Sequence, residues 1–434
     1  MVTTSSGPES SPQRIIVGAG AAGLWAAARS AQAGKRVLVL EKTGRCGTKI
    51  LASGGTRCNL TTTLEAGPAA RLFGPRAERF LRIAFRTLPP TAVREQFASL
   101  GVPTVEAPLE KVFPASDRAR DVRDALERWA RESGAQIEVS APVAGVTFDD
   151  GTWTVRLADG STRSAPELVL AAGGQSYPKS GTTGEGYRWL EELDLPLTSR
   201  VPALVPLVSP AAWVHELTGI ALQTSDVRLL DESGKTVARR TRPVVFTHHG
   251  LSGPGAMDLS EPVARSAAEA RAAGRPAPLW SIALDVVPGT SREDLRSFLI
   301  EAAARPGRPL LRKALGKLAR DQGEALPRRL LETLLLEAGI EAPDQPTHAL
   351  SKAARHRLIE TVKGLAVPVT HTRGFELAEV TAGGLALDAV DPGSMRVNGR
   401  AGLFVIGELL DRAGPIGGLN FQAAFAEAEL CGRA

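Results

Sequence analysis

Cysteine, methionine and tyrosine are scarce in this chain of 434 residues, at three, three and two. Cys46, Cys58 and Cys431 are odd in number and contain no Cys-x-x-Cys pair. That excludes a disulfide framework, a structural zinc site and dithiol redox chemistry, and makes a reducing cytoplasm the expected compartment. Long apolar runs are also missing. The longest, Ile15 to Ala28, is too short to span a bilayer, so no membrane partner is expected. The first 13 residues, rich in Ser and Pro, lack a basic start followed by an apolar block; they read as a disordered tail rather than a signal peptide. His248 and His249 are adjacent with no carboxylate at ligand spacing, so no metal site is expected.

What is present begins at Arg14. Ile15, Ile16 and Val17 form a buried-strand run, Gly18-Ala19-Gly20-Ala21-Ala22-Gly23 turns the chain into an Ala-rich helix ending near Gly34, and Val37 to Leu40 is a second apolar strand closed by Glu41. This is a βαβ unit for binding a dinucleotide. Gly18 permits the turn, Gly20 admits a pyrophosphate to the helix N-terminus beside Ala21 and Ala22, and Gly23 lets helix and strand pack closely. Glu41 is placed to accept from ribose hydroxyls, which disfavours a 2′-phosphate there and fits FAD or NAD. No second Gly-x-Gly-x-x-Gly follows a strand elsewhere, so a nicotinamide cofactor would approach transiently.

The Gly-rich basic loop Lys42 to Asn59 has too little periodicity for a helix or strand. Its Lys42, Lys49, Gly54, Gly55, Arg57 and Asn59 are expected to run past the diphosphate toward the redox ring. Residues 76–100 and 117–133 read as two amphipathic helices, the second with Ser116 as N-cap, and 103–114 as extended. Strand signals at 136–140, 143–148 and 153–157 form a three-stranded antiparallel meander, with Val143 at the cofactor. Glu167 to Ala172 is a buried strand ending at Gly173-Gly174, where the chain can pass closely over a cofactor. Short strands at 227–230, 236–239, 244–248 and 279–286 suggest a small β-barrel or sandwich. Residues 291–363 turn helical. Between Arg305 and Lys363 stand twelve Lys or Arg against seven Asp or Glu, where the net charge of the whole chain is +5. A polyanion such as RNA would dock on that helical piece.

Gly402 to Gly407 is a last buried strand ending in Gly and Glu408; Asp411, Gly417, Gly418 and Asn420 lead from it into a terminal helix whose amides can face an electron-rich ring. A chain that rebuilds its nucleotide site with its last 50 residues fits an extended FAD better than NAD.

These stretches resemble the BaiN/RdsA family of NAD(P)/FAD-dependent oxidoreductases, two-dinucleotide-binding-domain flavoproteins, from Ile15 to Ala426. The motifs are GAGAAG from Gly18, SGGTRCN from Ser53, AAGGQSYPKSGTTGEGY from Ala171, THHGLSGPG from Thr247, VTAGG from Val380 and GELLDRAGPIGGLNFQ from Gly407. The family more often has Gly where Thr56 stands, and often Tyr where Leu419 stands. The resemblance implies an α/β fold: a discontinuous Rossmann-like FAD-binding domain (14–195 and 375–434) with an inserted β-barrel domain (196–290), a helical insertion within that (291–363) and a return strand (364–374). It also implies reduction of a carbon–carbon double bond conjugated to a carbonyl, with NAD(P)H as donor, acting on a small molecule such as a steroid enone or on a uridine of ribosomal RNA. A non-catalytic flavin-binding redox sensor is the other reading. Candidates for the catalytic proton donor are Tyr177, Cys58, His248 and His249. Oligomeric state is not legible.

Overall fold

The computed structural model describes residues 11–307, 309–321 and 323–434. Most of the N-terminal tail, residues 1–10, therefore lies outside the described residues. The chain divides into two units, one of residues 1–200 with 379–434 and the other of residues 201–378.

The first unit is built on a parallel sheet. Its strands are β1 (Arg14–Val17), β2 (Val37–Leu40), β3 (Gln136–Glu138), β4 (Glu167–Leu170) and β5 (Leu403–Val405), in the order β5-β4-β1-β2-β3. β1, β2 and β4 have buried Ile, Val and Leu at nearly every position, the pattern of strands covered on both faces. Between β1 and β2 runs helix α1 (Ala21–Gln32), whose alanines let it lie against the sheet on one side and the terminal helix α5 (Leu419–Arg433) on the other. α5 is buried around nearly its whole circumference, as expected of a helix packed inside a domain. Trp25 from α1 meets Trp129, Phe97 and Phe425 with ring centroids 5.1, 6.1 and 4.9 Å away. Each such pair adds about 0.5–1.5 kcal/mol beyond the apolar area it buries.

Charges inside this unit are paired. Arg412 and Glu427, both essentially inaccessible, meet through two nitrogen–oxygen bonds of 2.7 and 2.9 Å, and Glu427 also accepts from the Gly407 amide at 2.8 Å. Arg14, at 0% exposure, reaches Glu167, Ser30 and the Cys431 carbonyl. Removing one member of such a set would strand the other in low dielectric, at a cost of about 3–5 kcal/mol.

Several local expectations are revised. Residues 42–59 are not all irregular: they hold α2 (Thr48–Ala52) and a 3₁₀ turn (Ser53–Thr56), too short for periodicity to register. The stretch 76–100 is two helices, α3 (Pro75–Thr87) and Pro90–Ser99, because Pro89-Pro90 cannot continue a helix. Ser116 does not cap α4 (Ala119–Glu132): Arg118 holds that position, and Ser116 instead bonds the Asp121 carboxylate, helping to hold it below its usual range. The segment 103–114 is a hairpin of Thr104–Ala107 with Lys111–Pro114. Of the three strands assigned to the meander, the first is β3 and joins the parallel sheet; the meander is Val143–Asp149, Thr152–Leu157 and Thr162–Ala165.

The second unit carries two antiparallel sheets. One contains Asp226–Leu230, Thr236–Thr241, Trp280–Asp285 and Leu365–Val369, and the other Val244–Thr247 and Gly250–Ser252 among its strands. Helices Arg292–Ala304, Leu311–Asp321, Arg328–Glu337 and Lys352–Val362 pack against them around a Leu-rich core.

Thr56 sits at φ 71°, in the left-handed region that is costly for a β-branched residue. Thr56→Gly removes that strain and returns part of the gain as extra freedom of the unfolded chain. A net stabilisation of about 1 kcal/mol is expected, measured as a raised urea midpoint with an unchanged m-value.

Candidate functional site

Parallel pairing fixes where the strands end. Val17 is opposite Leu170 and Leu40, and Leu170 is opposite Val405, so β2, β1, β4 and β5 finish side by side. Their continuations are Glu41, Gly18, Ala172-Gly173 and Gly407, in one row at the carboxyl edge. Such an edge is where open parallel sheets hold their ligands.

The turn after β1 is shaped by contact and by space. Gly18 has φ 105°, and a Cβ there would lie 2.5 Å from the Ala171 carbonyl oxygen. A Cβ on Gly23 would come within 1.9 Å of the Gly18 carbonyl oxygen. A Cβ on Gly20, the residue capping α1, would meet nothing within 4 Å. The first turn of α1, with Ala21, Ala22 and Gly23, thus starts beside open space at Gly20, with helix amides that have no partner within the helix. The residues fit a dinucleotide diphosphate: the one glycine that the fold does not require is the one a phosphate would need.

Glu41 organises the neighbouring loop. Its carboxylate accepts from the Ala19 amide at 2.8 Å and from the Thr43 amide and hydroxyl at 2.8 Å. Beyond it the Lys42 ammonium bonds Thr183 at 2.8 Å and Glu185 at 2.5 Å, and the Thr48 hydroxyl donates to the Ser180 carbonyl. The loops after β2 and β4 are therefore laced together. Val143 stands two residues beyond Ala141, whose amide donates to the Glu41 carbonyl at 2.9 Å.

A polar cluster closes the β5 end. Lys49 lies 2.7 Å from both Glu408 Oε2 and Ser176 Oγ; Ser176 Oγ donates to Glu408 Oε1 at 2.7 Å, and the Thr381 amide donates to the same oxygen at 2.8 Å. Burial alone would raise the Glu408 carboxyl, but Lys49 and the surrounding donors outweigh it and hold it below the ordinary carboxylate range. Gly174 is needed here, since a Cβ would lie 2.4 Å from Glu408 Oε1 and 2.5 Å from the Thr381 hydroxyl. Ser176 and Thr381 were not among the residues singled out from sequence. They lie within the AAGGQSYPKSGTTGEGY and VTAGG motifs, which was the available signal.

Other expected residues take different partners. Arg57 pairs with Asp117 and covers the Phe113 ring at 4.1 Å, and Asn59 accepts from the Val112 amide at 3.0 Å. Both side chains are engaged by the 104–114 hairpin, with Gly54 and Gly55 in the turn just before them. Asp411 is 3.6 Å from Arg76. Asn420 brackets Gly414 with two bonds of 2.9 and 2.8 Å, shaping the loop through Gly417 and Gly418 that enters α5. Cys58 is fully buried at φ 61°; burial pushes its thiol up to about 12, against a smaller opposite pull from Ser53. Tyr177 is exposed at φ 54° and its carbonyl caps the turn through Ser180. His248 and His249 are exposed in the second unit, at the turn joining Val244–Thr247 to Gly250–Ser252.

A family model described as the HI0933-like protein Rossmann domain matches residues 12–434. The ribosomal RNA dihydrouridine synthase of Escherichia coli is 30% identical over 421 residues, covering 96% of this chain and 96% of that protein. The 3-dehydro-bile acid delta(4,6)-reductase of Clostridium scindens is 29% identical over 421 residues, covering 96% and 98%. Among solved structures, a 3-ketosteroid-delta4-(5alpha)-dehydrogenase from Rhodococcus jostii is 14% identical with a TM-score of 0.49, covering 100% of this chain and 98% of that one. By the match across its length and by the GAGAAG turn at the end of β1, the chain belongs to the HI0933-like Rossmann family, the BaiN/RdsA type of flavoprotein oxidoreductase.

Proposed function

We propose that this protein binds FAD along the carboxyl edge of the parallel sheet and reduces a carbon–carbon double bond conjugated to a carbonyl, with NAD(P)H as electron donor. The observation that carries the proposal is the row of chain turns after β2, β1, β4 and β5, with Gly20 opening onto free space at the start of α1. The relatives' names describe one bond type: the enone of a bile acid and the 5,6-bond of a uracil are both conjugated to a carbonyl. We further propose that the inserted unit of two antiparallel sheets is a β-barrel domain bearing the helical piece.

When bound and reduced, FAD supplies hydride to the β carbon of that double bond. The chain's own residues do the rest. The α1 amides and dipole hold the diphosphate, and Glu41, already fixed by Ala19 and Thr43, keeps its carboxylate toward the adenosine end. Glu408, held below the ordinary carboxylate range by Lys49 and the surrounding donors, ties together the loops that follow β2, β4 and β5. Cys58, a neutral thiol through most of the pH range, and Tyr177, a phenol on an exposed turn, are the first-unit candidates to protonate the α carbon.

A second reading makes the acceptor a uridine of ribosomal RNA. It is supported by the relatives at 30% identity over 96% of the chain, which carry that name in both Escherichia coli and Haemophilus influenzae.

The direct test is anaerobic reduction of the yellow protein by NADH and by NADPH, followed by reoxidation with an enone panel and with unmodified ribosomal RNA. Bleaching by a nicotinamide and recovery with one acceptor class is expected, and Cys58→Ser or Tyr177→Phe should slow only the recovery. Bleaching that no unsaturated carbonyl compound or RNA reverses would sink the proposal. Gly20→Ala should fold with an unchanged melting temperature yet bind FAD about tenfold more weakly, roughly 1.4 kcal/mol, read by titrating apoprotein. Lys49→Met should cost about 1–2 kcal/mol at neutral pH, the worth of charge-assisted bonds partly screened by solvent. Because the folded-state Glu408 carboxyl is depressed, its stabilisation is present above the ordinary glutamate range and lost as pH falls through the folded value. The deficit of the variant should therefore shrink on acidification, in urea unfolding measured across pH.

A further inference from the structure

Part of the basic charge of residues 305–363 is paired within its own unit. Arg312 pairs with Asp344 and Glu332, Lys317 with Asp321, Arg328 with Glu332, and Lys363 with Asp285. Arg329 and Arg357 bond backbone carbonyls. Among the described residues, exposed cations without an ion pair remain there, Lys313 and Arg320 on one helix and Lys352 on another.

Helix α3 of the first unit is different. Arg79, Arg82 and Arg86 recur at i, i+3 and i+7 and so share one face, with Ile83 between them at 43% exposure. All three arginines are exposed, and among the described residues none of them forms an ion pair or side-chain hydrogen bond. The helix has a single acid, Glu78. Its opposite face, Ala77, Phe80, Leu81, Ala84 and Phe85, is buried, and α3 packs against α5 and the Ala66–Arg71 helix. The stripe is therefore rigidly mounted and not a frayed surface helix.

Its placement ties it to the site. At the start of α3, Arg76 reaches Asp388 at 3.1 Å and Asp411 at 3.6 Å. Phe73, just before the helix, lies where a Cβ on Gly414 would touch it at 2.6 Å. The first turn of α3 thus rests on the 411–418 loop that enters α5. From there the three free guanidinium groups lead away along about 10 Å of helix, at about 1.5 Å per residue.

We propose that this arginine face of α3 is a docking track for the phosphate backbone of ribosomal RNA. The inference rests on the ribosomal RNA reading above. Unpaired, solvated guanidinium groups cost nothing to keep in water and gain by releasing counterions from a polyanion, which a paired arginine cannot do. A small apolar enone has no use for them. Phosphate contacts position a nucleic acid without reading its sequence, so the track would set how a uridine is presented and leave the choice of base to the site at the sheet edge.

The test uses the full chain loaded with FAD and an unmodified ribosomal RNA transcript, with Kd measured across a series of KCl concentrations. Three variants are compared: Arg79→Gln/Arg82→Gln/Arg86→Gln; Lys313→Gln/Arg320→Gln/Lys352→Gln on the helices of the second unit; and Ile83→Ser. The α3 triple variant should lower the slope of log K against log salt by about 2, from roughly 0.7 per single-strand phosphate contact. Between about 50 and 200 mM salt, wild type should then lose about twentyfold more affinity than this variant. Melting temperature, flavin spectrum and turnover of a small enone should be unchanged. The second-unit triple variant should keep the wild-type slope. If wild type binds RNA steeply and the α3 variant does so equally, the track is refuted while the RNA reading stands. If wild type shows no salt-dependent RNA binding, the RNA reading itself has failed. If Ile83→Ser weakens binding with the slope unchanged while the arginine variant has no effect, the face meets the RNA through an apolar base contact and not through its phosphates, and the proposal is overturned.

Discussion

The first unit depends on how closely the backbone at the end of β1 approaches its neighbours. Gly18 lies under the Ala171 carbonyl, and the Gly18 carbonyl in turn fills the space a side chain on Gly23 would take. Those contacts draw α1 down onto the sheet and fix β1 beside β4, so the turns after β1 and β4 open at the same level. Once β4 is set, Leu170 sets Val405, and the far end of the chain is brought to the same edge. The row of turns around residues 20, 173 and 407 is thus a consequence of three registers and one tight turn.

Burying the terminal helix brings charges with it. α5 carries Glu427 and Glu429 into the interior, where each is met: Glu427 by Arg412 and the Gly407 amide, Glu429 by the Trp25 indole, Arg29 and Arg433. The Gly407 amide lies directly after β5, so the same carboxylate that neutralises Arg412 also fixes the turn beside which Glu408 projects. Stability and site geometry share these bonds. A hydrophobic replacement of the pair could satisfy the volume but would leave the Gly407 amide without its acceptor.

What could be read from the chain follows from the range of each interaction. The strands ending at Leu40, Val17, Leu170 and Val405 announce themselves by continuous Ile, Val and Leu runs that stop at an acid or glycine, because burial on both faces leaves no room for a polar alternation. Phe421 to Cys431 was visible as a helix by the same composition. Pairing across hundreds of residues was not visible: nothing local to Lys49 says that Glu408 and Ser176 will be its partners, and nothing local to Gln136–Glu138 says that it will lie parallel to β2. Arg57 and Asn59 show the converse. Their loop was placed beside the cofactor, yet their side chains are taken up by Asp117 and by the Val112 amide, contacts that only the hairpin at 104–114 creates. For basic charge, a count cannot tell a guanidinium held by an acid on a neighbouring helix from one left in water.

Strain gives the final step. Thr56 and Cys58 sit on one side of Arg57 and the other, both at positive φ, and Tyr177 opens the turn after β4 in the same region of backbone space. A non-glycine residue is kept there only when its surroundings determine it completely, at about 1–3 kcal/mol each. For Cys58 the surroundings are total burial and the adjacent Ser53 turn, and they hold the thiol in its protonated form at any physiological pH. A thiol so held is a poor nucleophile and metal ligand, and with its side chain wholly enclosed it acts as a small packing group that fixes the turn at Ser53.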